Sequence, residues 1–355
     1  MTARASVAEL PDEHADDRLA RPRRPLHEYV EASGMSRLVI GASKDPNAKV
    51  TTLLVSPASG RPALAIKAPT TEAAERAVDA EARLLTALAD VGGAALRGTV
   101  PRVVDMVDFD GRRAAVMTAV SGVPMTTAYM RPRHTASRAR VAGDFDAVAR
   151  WLASFQGATA SVPGPIEMDA DVTARLAERF AGDERVGDDL VRLGEIHGRL
   201  RASVVPRTAV QGDLWMGNVL LTDRDVSGVV DWEAGTAVGE PVRDLVRFAH
   251  IYALYLDRRT RPGRAVRGHR GLRAGRWGVG VEYALTGRGW FPELFRRFIG
   301  DGLVRLGAPA AMWRDAALAG IAEVAALTDE PKFAGLHLDL FRRMATVRAR
   351  RQSSP

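Results

Sequence analysis

The sequence predicts an α+β protein of two lobes, a small antiparallel sheet with one crossing helix followed by a larger, mainly helical lobe. Short apolar runs bounded by turn residues fill most of residues 36–120, and one helical pattern interrupts them. Helical periodicity prevails after Pro124, and two short apolar runs, Val219–Leu221 and Gly228–Val230, return within that part. A length of 355 residues is also typical of two domains, or of one domain with two lobes.

The composition excludes several classes of protein. At 46% hydrophobic and 26% charged residues, it is ordinary for a soluble globular chain. The absence of cysteine excludes a disulfide framework, a thiolate zinc site and a cysteine nucleophile. No apolar run approaches the roughly 18 residues of a membrane-spanning helix, and the first residues lack the apolar segment of a signal peptide. We therefore expect a cytoplasmic protein without a membrane partner.

The net charge of +7 and the pI of about 10.2 come from arginine, since lysine occurs only at positions 44, 49, 67 and 332. Such a bias usually reflects genome composition, so we do not expect a nucleic-acid partner. A nucleic-acid-binding module remains a remote alternative, with strongly salt-dependent binding as its signature. An anionic small substrate such as a nucleotide is equally compatible with the charge.

The chain divides into three segments by pattern. Residues 1–25 carry charges, alanine and proline without an apolar period, which predicts a flexible tail. Residues 26–121 form the predicted N-terminal, nucleotide-binding lobe, and residues 122–355 form the helical C-terminal lobe. The boundary is placed at Gly122–Pro124, where the last strand of the first lobe ends.

The first lobe contains five predicted strands, at Leu38–Ile40, Val50–Val55, Ala63–Lys67, Val103–Phe109 and Ala114–Val120. The turn that follows the first strand begins at Gly41 and includes Ser43 and Lys44. It could cover phosphates with its backbone N–H groups, although with one glycine it is on its own better explained as an ordinary hairpin loop.

Lys67 stands at the end of a strand in a chain that otherwise uses arginine for positive charge. A compact ammonium group can bind phosphate oxygens as a point charge, whereas a lone lysine at a strand end is more simply solvated. The next helix, which Thr70 or Thr71 can cap, favours the first interpretation. Its apolar stripe includes one carboxylate, and the stripe residues are Ala74, Val78, Glu81, Leu85 and Leu88. Because a buried carboxylate needs a partner, we expect Glu81 to pair with Lys67, with a solvated Glu81 as the alternative.

The two runs Val219–Leu221 and Gly228–Val230 predict a hairpin with its turn at residues 222–225. In such a hairpin Asn218 and Asp231 lie side by side at one end, and Asp213 lies on the loop that precedes it. Phosphoryl transfer with magnesium needs this set of groups, namely a carboxylate for the acceptor hydroxyl and an amide with a second carboxylate for the metal.

A helix is predicted from Val242, directly after Gly239–Pro241. Asp244 near its start could simply stabilise the helix N-terminus, or it could serve the site, and the sequence does not separate these two roles. His250 is expected to be a packing residue rather than a ligand. The arginine-dense segment 258–276 is expected to be a solvated, flexible insertion, with a loop over a bound anion as the second interpretation.

Gln211-Gly212-Asp213, with Asn218 and then Val230–Glu233, resembles the catalytic and metal-binding segments of the aminoglycoside phosphotransferase family. That family shares the protein-kinase-like fold. The resemblance runs from about Leu38 to Phe248.

The resemblance implies a role for each matched residue. Asp213 would orient the acceptor hydroxyl and take its proton, and Asn218 with Asp231 would hold Mg²⁺ on the nucleotide phosphates. Lys67, positioned by Glu81, would bind the α- and β-phosphates of ATP or GTP. The remaining nucleotide contacts would come from backbone or pocket groups of Gly41, Ser43, Met117, Thr118 and Val120.

Two features depart from the family pattern. The turn over the phosphates is poor in glycine, and Gln211 stands where the family usually has histidine. We expect it to brace the loop by hydrogen bonds, since an amide both donates and accepts. Only Ala234–Val238 connect Glu233 to Gly239, whereas protein kinases have a long activation segment at this point. The acceptor is therefore expected to be a small hydroxylated molecule.

Taken together, these features predict an ATP- or GTP-dependent small-molecule O-phosphotransferase acting on an aminoglycoside, a sugar or a related metabolite. A catalytically inactive kinase-like protein that binds a nucleotide or another ligand is the alternative. An antibiotic-resistance enzyme in the strict sense is mildly disfavoured, because polycationic aminoglycosides call for an acidic acceptor cleft, whereas the C-terminal region of this chain is rich in arginine.

Overall fold

The computed structural model describes residues 23–42, 48–96, 98–168 and 171–352. The chain forms two compact units, one made of residues 1–86 and 101–119 and the other of residues 87–100 and 120–355. These units are defined by compactness alone, so the functional division at Gly122 remains a prediction.

The first unit is an antiparallel sheet of five strands in the order β1-β2-β3-β5-β4. Its elements in chain order are α1 (Leu26–Ser33), β1 (Ser36–Ala42), β2 (Lys49–Val55), β3 (Pro62–Pro69), α2 (Glu72–Leu96, to Thr86 in this unit), β4 (Val103–Phe109) and β5 (Arg112–Thr118). Leu54, Ile66, Val107 and Val116 are fully buried in its core. All five predicted strands and the helix are present, whereas α1 was not predicted.

Helix α2 begins as the sequence predicts. The Oγ1 of Thr71 accepts a hydrogen bond of 3.1 Å from the Ala74 N–H, which satisfies one of the free donors of the first turn. The five residues of the predicted stripe are at most 2% exposed, and they are Ala74, Val78, Glu81, Leu85 and Leu88. Glu81 is therefore a buried carboxylate and not a solvated residue at the edge of the stripe.

The predicted tail is too long at its C-terminal end. Residues 1–22 lie outside the described residues, but the carbonyl of Arg24 accepts a 2.9 Å bond from the Asp108 N–H and Pro25 forms a bridge with Asp108. Arg24 and Pro25 therefore belong to the first unit, because backbone pairing with β4 fixes them there.

The second unit is mainly helical and contains three small antiparallel ribbons. Its elements in order are β6 (Val123–Pro124), α3 (Met125–Tyr129), α4 (Arg138–Ala158), β7 (Pro163–Pro165), α5 (Val172–Arg179), α6 (Val186–Leu200), β8 (Val204–Pro206), β9 (Thr208–Val210), β10 (Val219–Thr222), β11 (Asp225–Val229), β12 (Thr236–Gly239), α7 (Val242–Leu254), α8 (Val279–Thr286), α9 (Trp290–Arg305), a short 3₁₀ turn, α10 (Trp313–Leu327) and α11 (Pro331–Gln352). The ribbons are β11-β10-β6, β12-β9 and β7-β8.

Aromatic side chains from α4, α7 and α9 form the centre of this unit. The ring of Phe145 lies 4.8 Å from Tyr252, 5.3 Å from Phe248 and 5.0 Å from Phe298, in edge-to-face contacts. Such pairs add about 0.5–1.5 kcal/mol each beyond the burial of apolar area. Helix α7, which reaches the site described below, is therefore held along its length by the core.

The segment 258–276 is packed, so its interpretation as a solvated, flexible insertion is wrong. Four of its side chains are buried, and they are Val266, His269, Leu272 and Ala274. The ring Nε2 of His269 lies 2.8 Å from the Thr135 carbonyl, and Gly268 (φ +81°) approaches Ala136 so closely that a Cβ there would meet its carbonyl at 2.6 Å. Successive turns direct these side chains inward, while the arginines between them are exposed. Within the described residues, no helix has the length and apolar character that crossing a membrane requires.

Candidate functional site

The loop from Gln211 to Asn218 connects β9 to β10, and its course depends on a glycine. Gly212 has φ +85°, and a Cβ at this position would lie 2.0 Å from the carbonyl oxygen of Ala234. Glycine alone accepts both the positive φ and the close approach without strain. The loop therefore passes directly against the segment that follows Asp231.

Gln211 braces this loop, as the sequence predicts. It is fully buried, its Nε2 donates to the carbonyls of Val230 (3.1 Å) and Asp231 (2.5 Å), and its Oε1 accepts from the Asp213 N–H (2.9 Å). The amide thus joins the backbone beside Asp213 to the backbone at Asp231. These bonds use both the donor and the acceptor ability of a glutamine.

Asp244 does more than stabilise the start of α7. Its carboxylate accepts hydrogen bonds from the N–H groups of Gln211 (2.7 Å) and Gly212 (2.8 Å), and it is 1% exposed. Burial raises its pKa to about 6, although the two N–H donors act in the opposite direction. The first turn of α7 is therefore tied to the backbone that carries Asp213.

The Asp213 carboxylate is held from two sides. Its Oδ1 accepts from the guanidinium of Arg247, with Nε at 3.0 Å and Nη2 closer, and the Nδ2 of Asn218 lies 3.4 Å from its Oδ2. About a third of the Asp213 side chain is exposed, against a quarter for Arg247. Oδ2 has the weaker contact and is the oxygen better able to meet a ligand.

Asn218 and Asp231 lie at one end of the predicted hairpin. Val219 pairs with Val229, and the Val230 N–H donates to the Asn218 carbonyl (2.9 Å). Asp231 has φ +64°, a conformation that costs a non-glycine residue of order 1 kcal/mol or more and that requires support from its surroundings. That support includes the next residue, Trp232, which is fully buried and donates through Nε1 to the Val229 carbonyl (2.8 Å).

The atoms at this hairpin end fit a magnesium ion that also binds phosphate oxygens. The Nδ2 of Asn218 donates to the Asp213 carbonyl (3.0 Å), which leaves the amide Oδ1 as the atom for a cation. Mg²⁺ is commonly held by one or two protein oxygens plus substrate phosphates and water. The described residues contain no group of three or more histidine or acidic side chains that could hold a metal alone.

A cavity of about 190 Å³ opens beside Asp213, entirely within the second unit. It is lined by the loop, by α7 and by the end of α10, and its charged lining residues are Asp213, Asp231, Glu233, Arg243, Arg247 and Glu323. A small molecule in this space would meet the Asp213 carboxylate directly.

Lys67 and Glu81 form the ion pair that the sequence predicts in the first unit. The Nζ of Lys67 lies 2.7 Å from both carboxylate oxygens of Glu81, and the two side chains are 9% and 1% exposed. A buried pair of this kind fixes the ammonium in one place, because breaking it would leave an uncompensated buried charge.

Five other residues are predicted to contact the nucleotide, and the structure describes four of them. Ser43 lies outside the described residues, and Gly41 is exposed at the end of β1. Met117 is buried at 3% exposure, and Val120 is half-buried. The Thr118 N–H donates to the Arg102 carbonyl (2.8 Å), so a backbone contact from Thr118 to a ligand would have to use its carbonyl.

Sequence reasoning missed Arg243 and Arg247. Arg247 follows Asp244 by three residues and therefore lies on the same face of α7. This spacing was a usable signal, because Asp244 had already been singled out. In a chain with this many arginines, however, one more on a helix was not distinctive.

Residues 49–277, more than half of the chain, match the sequence profile of the phosphotransferase enzyme family. No match was found among curated protein sequences.

Solved structures of aminoglycoside phosphotransferases have the same fold at low sequence identity. APH(2'')-Ib with ADP bound aligns with a TM-score of 0.52 at 11% identity, covering 90% of this chain and 96% of that chain. APH(4)-Ia aligns with a TM-score of 0.54 at 12% identity, covering 90% and 97%. The ternary complex of streptomycin, ATP and APH(2'')-IIa aligns with a TM-score of 0.50 at 12% identity, covering 91% and 97%. The protein-kinase-like fold predicted from the sequence is thereby confirmed.

Proposed function

Because the chain belongs to the phosphotransferase enzyme family, we propose that it transfers the γ-phosphate of ATP or GTP to a hydroxyl group of a small molecule. The observation that carries this proposal is the Asp213 carboxylate, which faces a cavity from a loop braced by Gln211 and Asp244. Phosphoryl transfer relies mainly on positioning and charge neutralisation, and a carboxylate held in this way supplies the positioning.

Asp213 acts as the general base. Its Oδ2 accepts a hydrogen bond from the acceptor hydroxyl, orients the hydroxyl oxygen towards the γ-phosphorus and takes the proton as the new bond forms. The contact of Oδ1 with Arg247 fixes the plane of the carboxylate for this role. The acceptor hydroxyl is thereby presented to the nucleotide in one orientation.

Asn218 and Asp231 would hold a magnesium ion, through the Oδ1 atom of the amide and the carboxylate. When bound, the ion neutralises charge on the nucleotide phosphates. Trp232, the residue after Asp231, anchors this segment through its bond to the Val229 carbonyl.

The nucleotide is bound by residues of both the sheet and the linker. Lys67 binds the α- and β-phosphates, and Glu81 holds its ammonium in place. Met117 contributes to the adenine pocket, Thr118 and Val120 offer backbone groups to the base, and the turn that includes Gly41 and Ser43 covers the phosphates. The solved ADP and ATP complexes of proteins with this fold support a nucleotide as co-substrate.

The acceptor is a small molecule. The connection from Glu233 to Gly239 is short and mostly occupied by strand β12 (Thr236–Gly239), so the chain lacks the long segment on which protein kinases bind a peptide. The cavity beside Asp213 has room for only a small part of a larger molecule.

The test is nucleotide consumption in the presence of a panel of small hydroxylated compounds, with water as the acceptor in the blank. Asp213→Asn should lower turnover by about 10²- to 10⁴-fold, the usual contribution of a general base, and leave nucleotide affinity unchanged. Asp223→Asn is the matched control, because Asp223 is exposed in the β10–β11 turn and asparagine tolerates its positive φ.

Two results would contradict the proposal. If Asp213→Asn turned over as fast as the wild type, Asp213 would not be the general base. Nucleotide binding without any consumption by the wild type, with every compound and with water, would instead identify an inactive kinase-like binding protein.

A further inference from the structure

The cavity beside Asp213 contains two guanidinium groups, and one of them neutralises a wall carboxylate. The Nε of Arg243 lies 2.7 Å from the Oε1 of Glu323, and both side chains are at most 15% exposed. A largely buried ion pair of this kind does not release its carboxylate readily, because the guanidinium would lose its counter-charge. Glu323 is therefore a poor site for an ammonium group of a ligand.

Arg247 differs from Arg243, because its counter-ion is Asp213, the proposed base. Its hydrogen bonds to described residues use only Nε and Nη2, and a quarter of the side chain is exposed. A guanidinium has five donors in a planar fork, and Nη1 contributes two of them. Arg247 can therefore bind a second anion through Nη1 without releasing Asp213.

Contacts of two neighbouring residues on α7 hold the helix in place at Arg247. Three residues earlier on α7, Asp244 binds the backbone of the loop, and three residues later the buried His250 packs against His337, with 3.0 Å between their Nε2 atoms. Burial lowers the pKa of both histidines, so both are neutral near pH 7 and do not repel the guanidinium. Arg247 thus lines the cavity from a held position on the helix, paired with Asp213.

The lining has two further carboxylates, Asp231, which is assigned to magnesium, and Glu233. A carboxylate or phosphate at the Nη1 of Arg247 would gain a charge-assisted hydrogen bond, whereas an ammonium group there would be repelled.

We propose that the acceptor is a hydroxylated acid, whose carboxylate or phosphate group binds Arg247 while its hydroxyl meets Asp213. This inference rests on the proposed function and names its substrate class. Because one guanidinium contacts both the base and the anionic group, the hydroxyl and that group are separated by only a few bonds. Glycerate and glycerol 3-phosphate have this arrangement.

Phosphoryl transfer to such an acid conserves atoms and charge. The acceptor hydroxyl oxygen forms a bond to the γ-phosphorus, and the bond between that phosphorus and the β,γ-bridging oxygen breaks. The electron pair of the broken bond leaves with the nucleoside diphosphate, and the hydroxyl proton goes to Asp213. Arg247 stays bound to both anions and takes no proton.

The experiment is isothermal titration of protein saturated with magnesium and AMP-PNP, a nonhydrolysable nucleotide. Four probes are used, D-glycerate, glycerol 3-phosphate, glycerol and kanamycin. The two acids separate a carboxylate from a phosphate as the recognised group, glycerol lacks the charge, and kanamycin is a polycation. Arg247→Met removes the guanidinium, and Arg270→Met is the charge-matched control at an exposed position of segment 258–276.

At least one acid should bind the wild type and Arg270→Met tenfold or more tightly than glycerol does, and Arg247→Met should lose that advantage. Arg247→Lys should retain part of it, because it keeps the charge without the fork. Failure of both acids to bind the wild type overturns the inference, as does equal acid binding by Arg247→Met, or kanamycin binding more tightly than either acid. The preceding titration with AMP-PNP tests the proposed function separately, since nucleotide binding does not depend on the acceptor.

Discussion

Gln211 accounts for much of the order around Asp213. It is fully buried and takes part in four hydrogen bonds, one through its own N–H to Asp244 and three through its amide. The side-chain amide supplies two donors and an acceptor from one planar group, as a brace between two backbone segments requires. Glutamine in place of the histidine that the family resemblance implies therefore preserves the support of the loop.

Gln211→Ala should lower the free energy of unfolding by about 2 kcal/mol, because it leaves the partly buried Asp213 N–H and two partly buried carbonyls without this partner. Gln211→His should cost less, since an imidazole keeps one donor and one acceptor. Urea unfolding followed by tryptophan fluorescence measures both. A Gln211→Ala protein within 0.5 kcal/mol of the wild type would show that the brace contributes little.

For single residues, the sequence predicted an interaction partner where helical periodicity fixed the direction of the side chain. Glu81 was placed on the buried stripe of α2 by its spacing, and its pairing with Lys67 follows from the cost of burying a lone charge. The pairing of Arg247 with Asp213 was not predictable in this way. A long arginine side chain can reach several directions from one helical position, and spacing alone does not choose among them.

Helix α7 is the element that organises the site. Asp244, Arg247 and His250 succeed one another at intervals of three residues, and they contact the loop backbone, the Asp213 carboxylate and the buried His337 in turn. Phe248 and Tyr252 of the same helix pack into the aromatic core. The position of Asp213 is thus set by an element that the hydrophobic core already fixes.

Asp244 makes this junction dependent on pH. Its pKa of about 6 lies above the ordinary 3.8, so the folded state binds this proton more tightly than the unfolded state does. The resulting stabilisation is fully present below pH 4 and is lost as the pH rises through 6, by about 3 kcal/mol for a shift of two units.

We expect the difference in unfolding free energy, wild type minus Asp244→Asn, to fall by about 2 kcal/mol from pH 4 to pH 6.5. His337, whose pKa is lowered to about 4, titrates in the same range with the opposite sign. Its effect cancels because both proteins contain it. Denaturant unfolding at several pH values provides the measurement, with Asp223→Asn, the same change at an exposed position, as the control. A difference that stays constant or rises with pH contradicts this account of Asp244.

Elements with a clear period or turn signal were predictable, and those without one were not. The β10–β11 hairpin was found because two apolar runs flank a polar turn, and the turn residues Asp223 and Arg224 do take positive φ. Helix α1 has eight residues, and its short apolar stripe of Leu26, Tyr29 and Val30 is only partly buried against the core, so it was missed. Segment 258–276 was misjudged because arginines dominate its sequence. Its four buried side chains follow neither a helical nor a strand period.

Across the whole molecule, the residues assigned to phosphoryl transfer are divided between the two compact units. Lys67 and Glu81 belong to the first, whereas Asp213, Asn218 and Asp231 belong to the second. The family match spans residues of both units and supports a single activity for them. The proposed activity therefore requires that residues from each unit contribute to the binding of one nucleotide.

The most direct test is the thermal stabilisation of the protein by magnesium and ATP. At a nucleotide concentration 100 times the dissociation constant, the wild type should gain about 2.7 kcal/mol, which is readily seen as a rise in Tm. The gain should be absent without magnesium, and Lys67→Met and Asp231→Ala should each lose most of it relative to their own baselines. Lys332→Met and Asp223→Ala, at exposed positions, should keep it. An undiminished gain in Lys67→Met and Asp231→Ala, or no gain in the wild type, would contradict the assignment of this chain as a nucleotide-dependent phosphotransferase.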